Sequence, residues 1–472
     1  MLNLTLPIFP FVLAFAVKSL GWQPAAIGFA AAIPYFCNAL QPLFVSMLSK
    51  RLSIYRLLVF TFWINALPWF LVGFLDSFGN WRDPAFAAIL CIATLGNSIA
   101  AVAWSASISE LVPERIAGRY FGKRNLFFGA WSLLAVFVAG LWADYSGNTI
   151  RTFGWIFALA GLARLTGLFF QTRMRFPASV MERQERGIPG SALLAVLRDR
   201  NYVGLLAFIG IWGALLNMGT PFYPVFLVER LGMSVGDVVK LVTVGTLGGL
   251  FTLNTWGALC DRFGSRPVLH VCGLVWAATA FFTWSLVGPK WHWHLYPAYF
   301  VVGAVTAGFQ LAQFNLMLRL APSQSRAAYV AVFLASTSLV TAVGPLLGGR
   351  LLGWMPEQMG ELFGQPILKF HLLFVLSALG CLLSVSLSTR IRETTAQPVE
   401  ELWREIRSLP SLNPILTIWG LGGVLLTPSR LITHGRNSFR TVRRQVKVLG
   451  EVGEEIIDGG KEAIRRPFST KR

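Results

Sequence analysis

The chain has 472 residues, 54% of them hydrophobic and 13% charged, with a mean hydropathy of +0.58 and a formal net charge of +19. A soluble domain usually carries about a quarter charged residues, so this composition leaves too little polar surface for a water-soluble globule of that size. The positive charge lies between apolar runs and in a C-terminal tail, with no nucleic-acid-binding signature beside it; this fits the cytoplasmic excess of Lys and Arg in membrane proteins and argues against a nucleic-acid partner.

Apolar runs, each long enough for a bilayer core of about 30 Å, fall at 1–20, 25–47, 56–76, 84–109, 125–145 and 152–172, then at 202–228, 235–258, 267–288, 295–317, 327–352 and 368–388. They do not alternate polar and apolar residues, which excludes a β-barrel. The expected fold class is therefore an all-α polytopic membrane protein with twelve transmembrane helices. The expected domains are an N-terminal six-helix half (1–172), a linker (173–200), a C-terminal six-helix half (201–390) and a basic tail (391–472). Loops after even-numbered spans hold Arg51, Arg56, Arg115, Arg119, Arg262, Arg266, Arg319 and Arg326, more cations than the opposite loops. The positive-inside rule puts that side, the linker and both termini in the cytoplasm.

The two halves repeat. Leu6–Phe11 (LPIFPF) matches Thr220–Val225 (TPFYPV), and Leu111–Tyr120 (LVPERIAGRY) matches Leu320–Tyr329 (LAPSQSRAAY), at offsets of 214 and 209 residues. Only six residues precede Pro7, whereas about 20 apolar residues precede its counterpart Pro221. The first helix thus reads as short, either trimmed or starting further upstream, and an upstream start is the favoured expectation.

Between the eighth and ninth runs lies Gly257–Pro267, GALCDRFGSRP, and 211 residues earlier a weaker copy, LSKRLSIYR (Leu48–Arg56). The first of these resembles the signature loop of the major facilitator superfamily, G-x-L-x-D-R-x-G-x-R-R, at Gly257, Leu259, Asp261, Arg262, Gly264 and Arg266, departing at Pro267. The weaker copy has Lys50 in place of the Asp and Ser53 in place of the Gly. The resemblance, to bacterial-type members, covers residues 1–390. It implies two parallel six-helix repeats with a cavity between them, and a cytoplasmic loop that latches one half against helices that move. Chemically, Gly264 allows a tight turn, and Asp261 is expected to satisfy free N–H groups at the start of the following helix.

In that family the first, fourth, seventh and tenth helices line the cavity, and polar groups within apolar spans tend to face the interior. The candidate substrate-cavity residues are Asn97, Trp104 and Ser105 in the fourth run, with Ser98 beside them; Asn217 in the seventh, before the break at Gly219–Pro221; and Gln310, Gln313 and Asn315 in the tenth. Packing across helices is the competing reading for each. Arg164 is the mid-span charge, a coupling or structural group. No Asp or Glu stands near the centre of a span, which weakens a proton-driven reading. Val343–Gly349 (VGPLLGG) reads as close helix packing, and His292 and His294 as interfacial packing rather than a metal site.

Five scattered cysteines read as small buried residues, and no metal, cofactor or enzymatic constellation is expected. The tail, with Phe439, Val442, Val446 and Leu449 at helical spacing among arginines, is expected to lie on anionic lipid at the cytoplasmic leaflet. The resemblance implies secondary active or facilitative transport of a small molecule by alternating access, by a monomer in the plasma (inner) membrane. The alternative is a transporter-like protein that does not transport and acts in assembly, as a scaffold, through its tail.

Overall fold

A computed structural model describes residues 8–49, 51–111, 114–147, 149–174, 190–288, 292–322, 324–362, 365–393 and 396–408. The helices are α1 (Ile8–Lys18), α2 (Pro24–Ser49), α3 (Ile54–Ala66), α4 (Arg82–Leu111), α5 (Glu114–Tyr145), α6 (Ile150–Thr172), α7 (Gly190–Arg198), α8 (Arg200–Gly219), α9 (Phe222–Glu229), α10 (Val235–Phe263), α11 (Ser265–Leu286), α12 (Leu295–Leu320), α13 (Arg326–Trp354), α14 (Lys369–Val385) and α15 (Val399–Ser408). Among the described residues ten helical stretches are long and apolar enough to cross a membrane. One of them, Ile54–Trp104, runs through two of the expected spans across a 3-10 segment, Leu67–Trp81, bent at Gly79 with φ 52°. With α1, described over 11 residues, the tally fits twelve crossings.

The seventh expected span is broken where its prolines require. Pro221 has no N–H to give, so α8 ends at Gly219 and α9 begins at Phe222. Between α13 and α14 an antiparallel ladder, Gln358–Leu362 with Gln365–Leu368, carries a register shift between Gln358 and Gly360; no period-2 pattern announced it. Four cysteines are buried as expected, but Cys91 is exposed.

The chain divides into two units, residues 1–399 and 400–472. In the second, described as far as Ser408, α15 places Leu402 and Ile406 four residues apart on one side. The apolar segment 413–426 and the amphipathic stretch around Phe439 lie outside the described residues.

Within the first unit the two repeats meet along α2 with α13, α5 with α10 and α1 with α9. Lipid tails are as apolar as leucine, so helices associate by close backbone packing rather than by the hydrophobic effect. The α2–α13 seam shows this. A Cβ on Gly28 would strike the Pro345 carbonyl, and one on Gly349 would strike Pro24 and Ala25. The VGPLLGG run therefore does pack helices: Gly344 and Gly348 face the backbone of Ala214 and Met218 on α8.

Gly28→Val and Gly349→Val are expected to lower stability by about 1–3 kcal/mol each through overpacking. Gly204→Ala, where an added Cβ meets nothing within 4 Å, is expected to be neutral or to stabilise by up to about 1 kcal/mol. Thermal unfolding of the three variants in detergent, against wild type, checks the order.

Candidate functional site: a conformational clasp and a cavity face

The turn that opens the signature is built as its residues dictate. α10 stops at Phe263 because Gly264 takes φ 91°, a conformation that strains any residue with a Cβ. A Cβ there would also meet Ala396 at 2.9 Å and Glu393 Oε2 at 3.2 Å. The first N–H groups of α11 then need acceptors. Glu393 supplies them: Ser265 N–H donates to Oε1 (3.0 Å) and Arg266 N–H to Oε2 (2.7 Å). Arg319 Nη1, from the end of α12, donates to the same Oε1 at 3.1 Å. Arg266 Nη1 donates to the Ile391 carbonyl at 3.2 Å, and Gln397 N–H to the Phe263 carbonyl at 2.9 Å.

This corrects the expected role of Asp261. Its side chain is 82% exposed, on the outer side of the last α10 turn, and its contact is Arg319 Nη2 at 3.8 Å. The side chain of Glu393 is 3% exposed. The anion that meets the helix N-terminus comes from beyond the last span, not from the turn. A sequence signal existed: Thr389–Arg392 (TRIR) repeats Thr172–Arg175 (TRMR), and Glu393 follows directly. Arg262 lies over the Phe263 ring at 5.1 Å. A second cap involves the C-terminal copy of the other repeated motif. Asp199 accepts from Asn201 and Tyr202 N–H at the start of α8, and the Tyr329 hydroxyl donates to it at 3.3 Å.

The cavity candidates divide. On the C-terminal repeat, Gln310 lines an open groove of about 680 Å³ between α10 and α12, with Thr246, Tyr299 and Thr306. On α12 that face lies between Gly303, which abuts Gly245 of α10, and Phe309, which stacks on Trp212 of α8 at 4.8 Å. Gln313 is half-buried one turn on. Asn315 sits roughly 140° around the helix from Gln310, at 3.6 residues per turn, and so does not share its face. Asn217 is half-buried at the end of α8 and accepts from the Tyr35 hydroxyl of α2 at 2.6 Å, a bond across the repeats; its own amide donates to the Gly213 carbonyl at 2.9 Å.

On the N-terminal repeat, Asn97 accepts from Arg164 Nη2 at 2.9 Å, tying α6 to α4. Arg164 Nε has no partner among the described residues. Ser98 donates to Asn38 Oδ1 at 2.5 Å, which packs α4 on α2. Trp104 packs against the cluster of Leu57, Phe62 and Ala103, with the Arg124 guanidinium 4.2 Å over its ring. The side chain of Ser105 lies outside the described residues. Tyr35, Asn38 and Glu393 are the polar groups that sequence reasoning missed.

One further bond joins the repeats at the end of the bundle opposite the Asp261 turn. Asp144, on the last turn of α5, accepts the Gly236 N–H at the start of α10 at 2.7 Å, and a Cβ on Gly236 would meet that carboxylate at 2.6 Å. At the same end His294 Nε2 meets the Thr283 carbonyl at 3.1 Å, and burial holds its imidazole below the usual range. Among the described residues no group of three His, Cys, Asp or Glu could hold a metal ion.

Paired polar spans, a glycine-lined seam and a charged turn describe a membrane transporter of two repeats rather than an enzyme. The Major Facilitator Superfamily model matches residues 1–253 and 208–435, and the chain belongs to that family. It is 21% identical over 397 residues to the proline/betaine transporter of Salmonella typhimurium, covering 78% of this chain and 75% of that one. It is 26% identical over 163 residues to autophagy-related protein 22-2 of Aspergillus oryzae, covering 31% and 27%. Among solved structures the fold is similar to the nucleoside transporter NupG, with TM-score 0.61 and 14% identity over 83% of this chain and 98% of that one. It is also similar to the inward-open xylose transporter XylE from E. coli, with TM-score 0.61 and 14% identity over 85% and 96%.

Glu393→Gln is expected to cut initial transport rates at least tenfold at equal expression, because a charge-assisted pair with a buried carboxylate contributes about 1.5–3 kcal/mol. Asp261→Asn, exposed and 3.8 Å from its partner, is expected to cost no more than about threefold. Uptake assays on both variants decide which carboxylate holds the turn.

Proposed function

We propose that the chain carries a small polar solute, neutral overall or zwitterionic, through a cavity between its repeats, with Asn217, Gln310 and Gln313 among the groups that meet it. Transport by alternating access is the family's activity. The solute class is supported by the polar part of one wall: the α10–α12 groove, otherwise lined by apolar residues and glycine, presents Thr246, Thr306, Tyr299 and Gln310, and no charged residue lines it. Neutral donors and acceptors orient a polar solute without demanding net charge. Arg164, engaged with Asn97, acts in this reading as a tie between α4 and α6.

Rocking is supported by where the repeats are joined. Asp144–Gly236 and the Gly28–Gly349 approach lie at one end, and Tyr35–Asn217 lies deeper in the bundle. Asp144–Gly236 and Tyr35–Asn217 are each a single hydrogen bond, cheap enough to break in a working cycle, while the Gly28–Gly349 approach stays as the contact about which the repeats turn. At the other end Glu393 holds elements of one repeat only. The Asp261 end faces the cytoplasm in this reading, and both termini with it. The clustering of Arg51, Arg56, Arg262, Arg266, Arg319 and Arg326 there supports that orientation. The protein works as a monomer in the plasma (inner) membrane, its basic tail on anionic lipid. The named solutes of the proline/betaine transporter are zwitterions, which makes that class the first to assay.

Purified protein in proteoliposomes is expected to exchange a labelled zwitterionic amino acid or betaine faster than a sugar or nucleoside. Gln310→Ala and Asn217→Ala are expected to reduce that exchange at least tenfold, about two lost hydrogen bonds' worth at 0.5–1.5 kcal/mol each with a cavity term. Tyr35→Phe removes one cross-repeat bond worth about 1 kcal/mol and is expected to shift the resting population about fivefold away from the conformer described, read by distance measurements between labels on α5 and α10. Absence of exchange for every solute, with unchanged phenotype on deletion, would favour the scaffold reading.

A further inference from the structure

The repeat poses a question that transport does not answer. In the C-terminal repeat the face made by Arg262, Phe263, Arg266 and His270 is covered by the chain that follows α14. Ser388 meets His270 at 2.8 Å, Ile391 accepts from Arg266, Glu393 caps α11, and Gln397 bonds Phe263. At the offset of 211 residues the counterparts in the N-terminal repeat are Arg51, Leu52, Tyr55 and Val59. There the same face is an open groove of about 640 Å³, lined by Leu48, Leu52, Tyr55, Val59, Phe60 and Trp63, with Arg51, Arg56 and Thr172 at its mouth.

Its chemistry is divided along its length. From Tyr55 to Trp63 the α3 wall is roughly 12 Å long at 1.5 Å per residue and almost wholly apolar. Its mouth lies where α2 ends (Ser49), α3 begins (Ile54) and α6 ends (Thr172), the level at which these spans leave the bilayer. Arg51 and Arg56 are exposed there, and among the described residues neither side chain takes part in an ion pair. In the turn itself Lys50 stands in place of the Asp, and the segment that follows α6 as Glu393 follows α14, residues 175–189, lies outside the described residues. Apolar depth, a cationic rim and a position at the bilayer edge match one kind of occupant, a lipid with an anionic headgroup.

We propose that this groove binds an anionic phospholipid, its acyl chain along Val59, Phe60 and Trp63 and its phosphate on Arg51 and Arg56. The lipid does for the weaker turn what Glu393 and its flanking residues do for the stronger one: it supplies the anion and fills the apolar face. The site holds its lipid whether or not a solute is being carried, so binding and uptake are read separately.

The test uses the full-length protein exchanged into nanodiscs of phosphatidylcholine, with or without a quarter phosphatidylglycerol. Native mass spectrometry after detergent release is expected to find phosphatidylglycerol retained about tenfold over phosphatidylcholine at equal lipid supply. Arg51→Gln/Arg56→Gln is expected to abolish that preference, while Arg151→Gln, at the opposite end of α6, keeps it. In a second arm, phosphatidylglycerol brominated on its acyl chain is expected to quench wild-type tryptophan fluorescence more than the brominated phosphatidylcholine, and Trp63→Phe is expected to remove the difference. Equal retention of the two lipids, a preference that survives in the double variant, or a quenching difference that survives in Trp63→Phe each overturns the proposal. So does a wild type with no quenching difference at all, the result expected if another part of the chain fills the groove.

Discussion

The backbone approach between α2 and α13 is the constraint on which the other parts of the first unit hang. In a bilayer nothing presses two apolar helices together except the contacts they make. Gly28 against Pro345 and Gly349 against Pro24 let two main chains touch where a methyl group would hold them apart. Once that seam is set, α8 lies against the adjacent face of α13 through Gly344 and Gly348, one residue and about 100° around the helix. This puts Asn217 within reach of Tyr35. At those points the seam is backbone on backbone, which holds the two repeats in register.

The second organising element is a single buried carboxylate. Glu393 accepts from two backbone N–H groups and from Arg319, joining α11, the end of α12 and the segment after α14. Helix dipole and guanidinium act on it from two sides, which offsets the cost of burying its charge. The N-terminal repeat keeps the turn with Lys50 where the other has Asp261. Its two arginines stand at the mouth of an apolar groove, so among the described residues one turn is closed by the chain itself and the other is not.

Most of the architecture was legible from hydropathy. Twelve apolar runs and the offset of about 211 residues could be read because a span must satisfy every backbone group internally and must be apolar for its whole length. The break at Pro221 and the packing role of VGPLLGG were equally plain, since proline and glycine act locally. The site was less so. Asn217, Gln310 and Arg164 stand out as polar residues in apolar runs, but Tyr35 and Asn97, which meet Asn217 and Arg164, are distant from them in sequence. Gln310 and Asn315 look alike in the sequence and differ by the angle that five residues make around a helix.

The sequence by itself determined that the chain spans a membrane, that it is duplicated, and which turn carries the family's signature, because composition and local chemistry decide those. Only the tertiary structure decided that Glu393 rather than Asp261 caps α11, that Tyr35 meets Asn217, and that among the described residues one copy of the turn is covered while the other is open. The reason is physical: a carboxylate binds whichever N–H groups the fold brings to it, and here it crosses 128 residues of chain to reach Ser265.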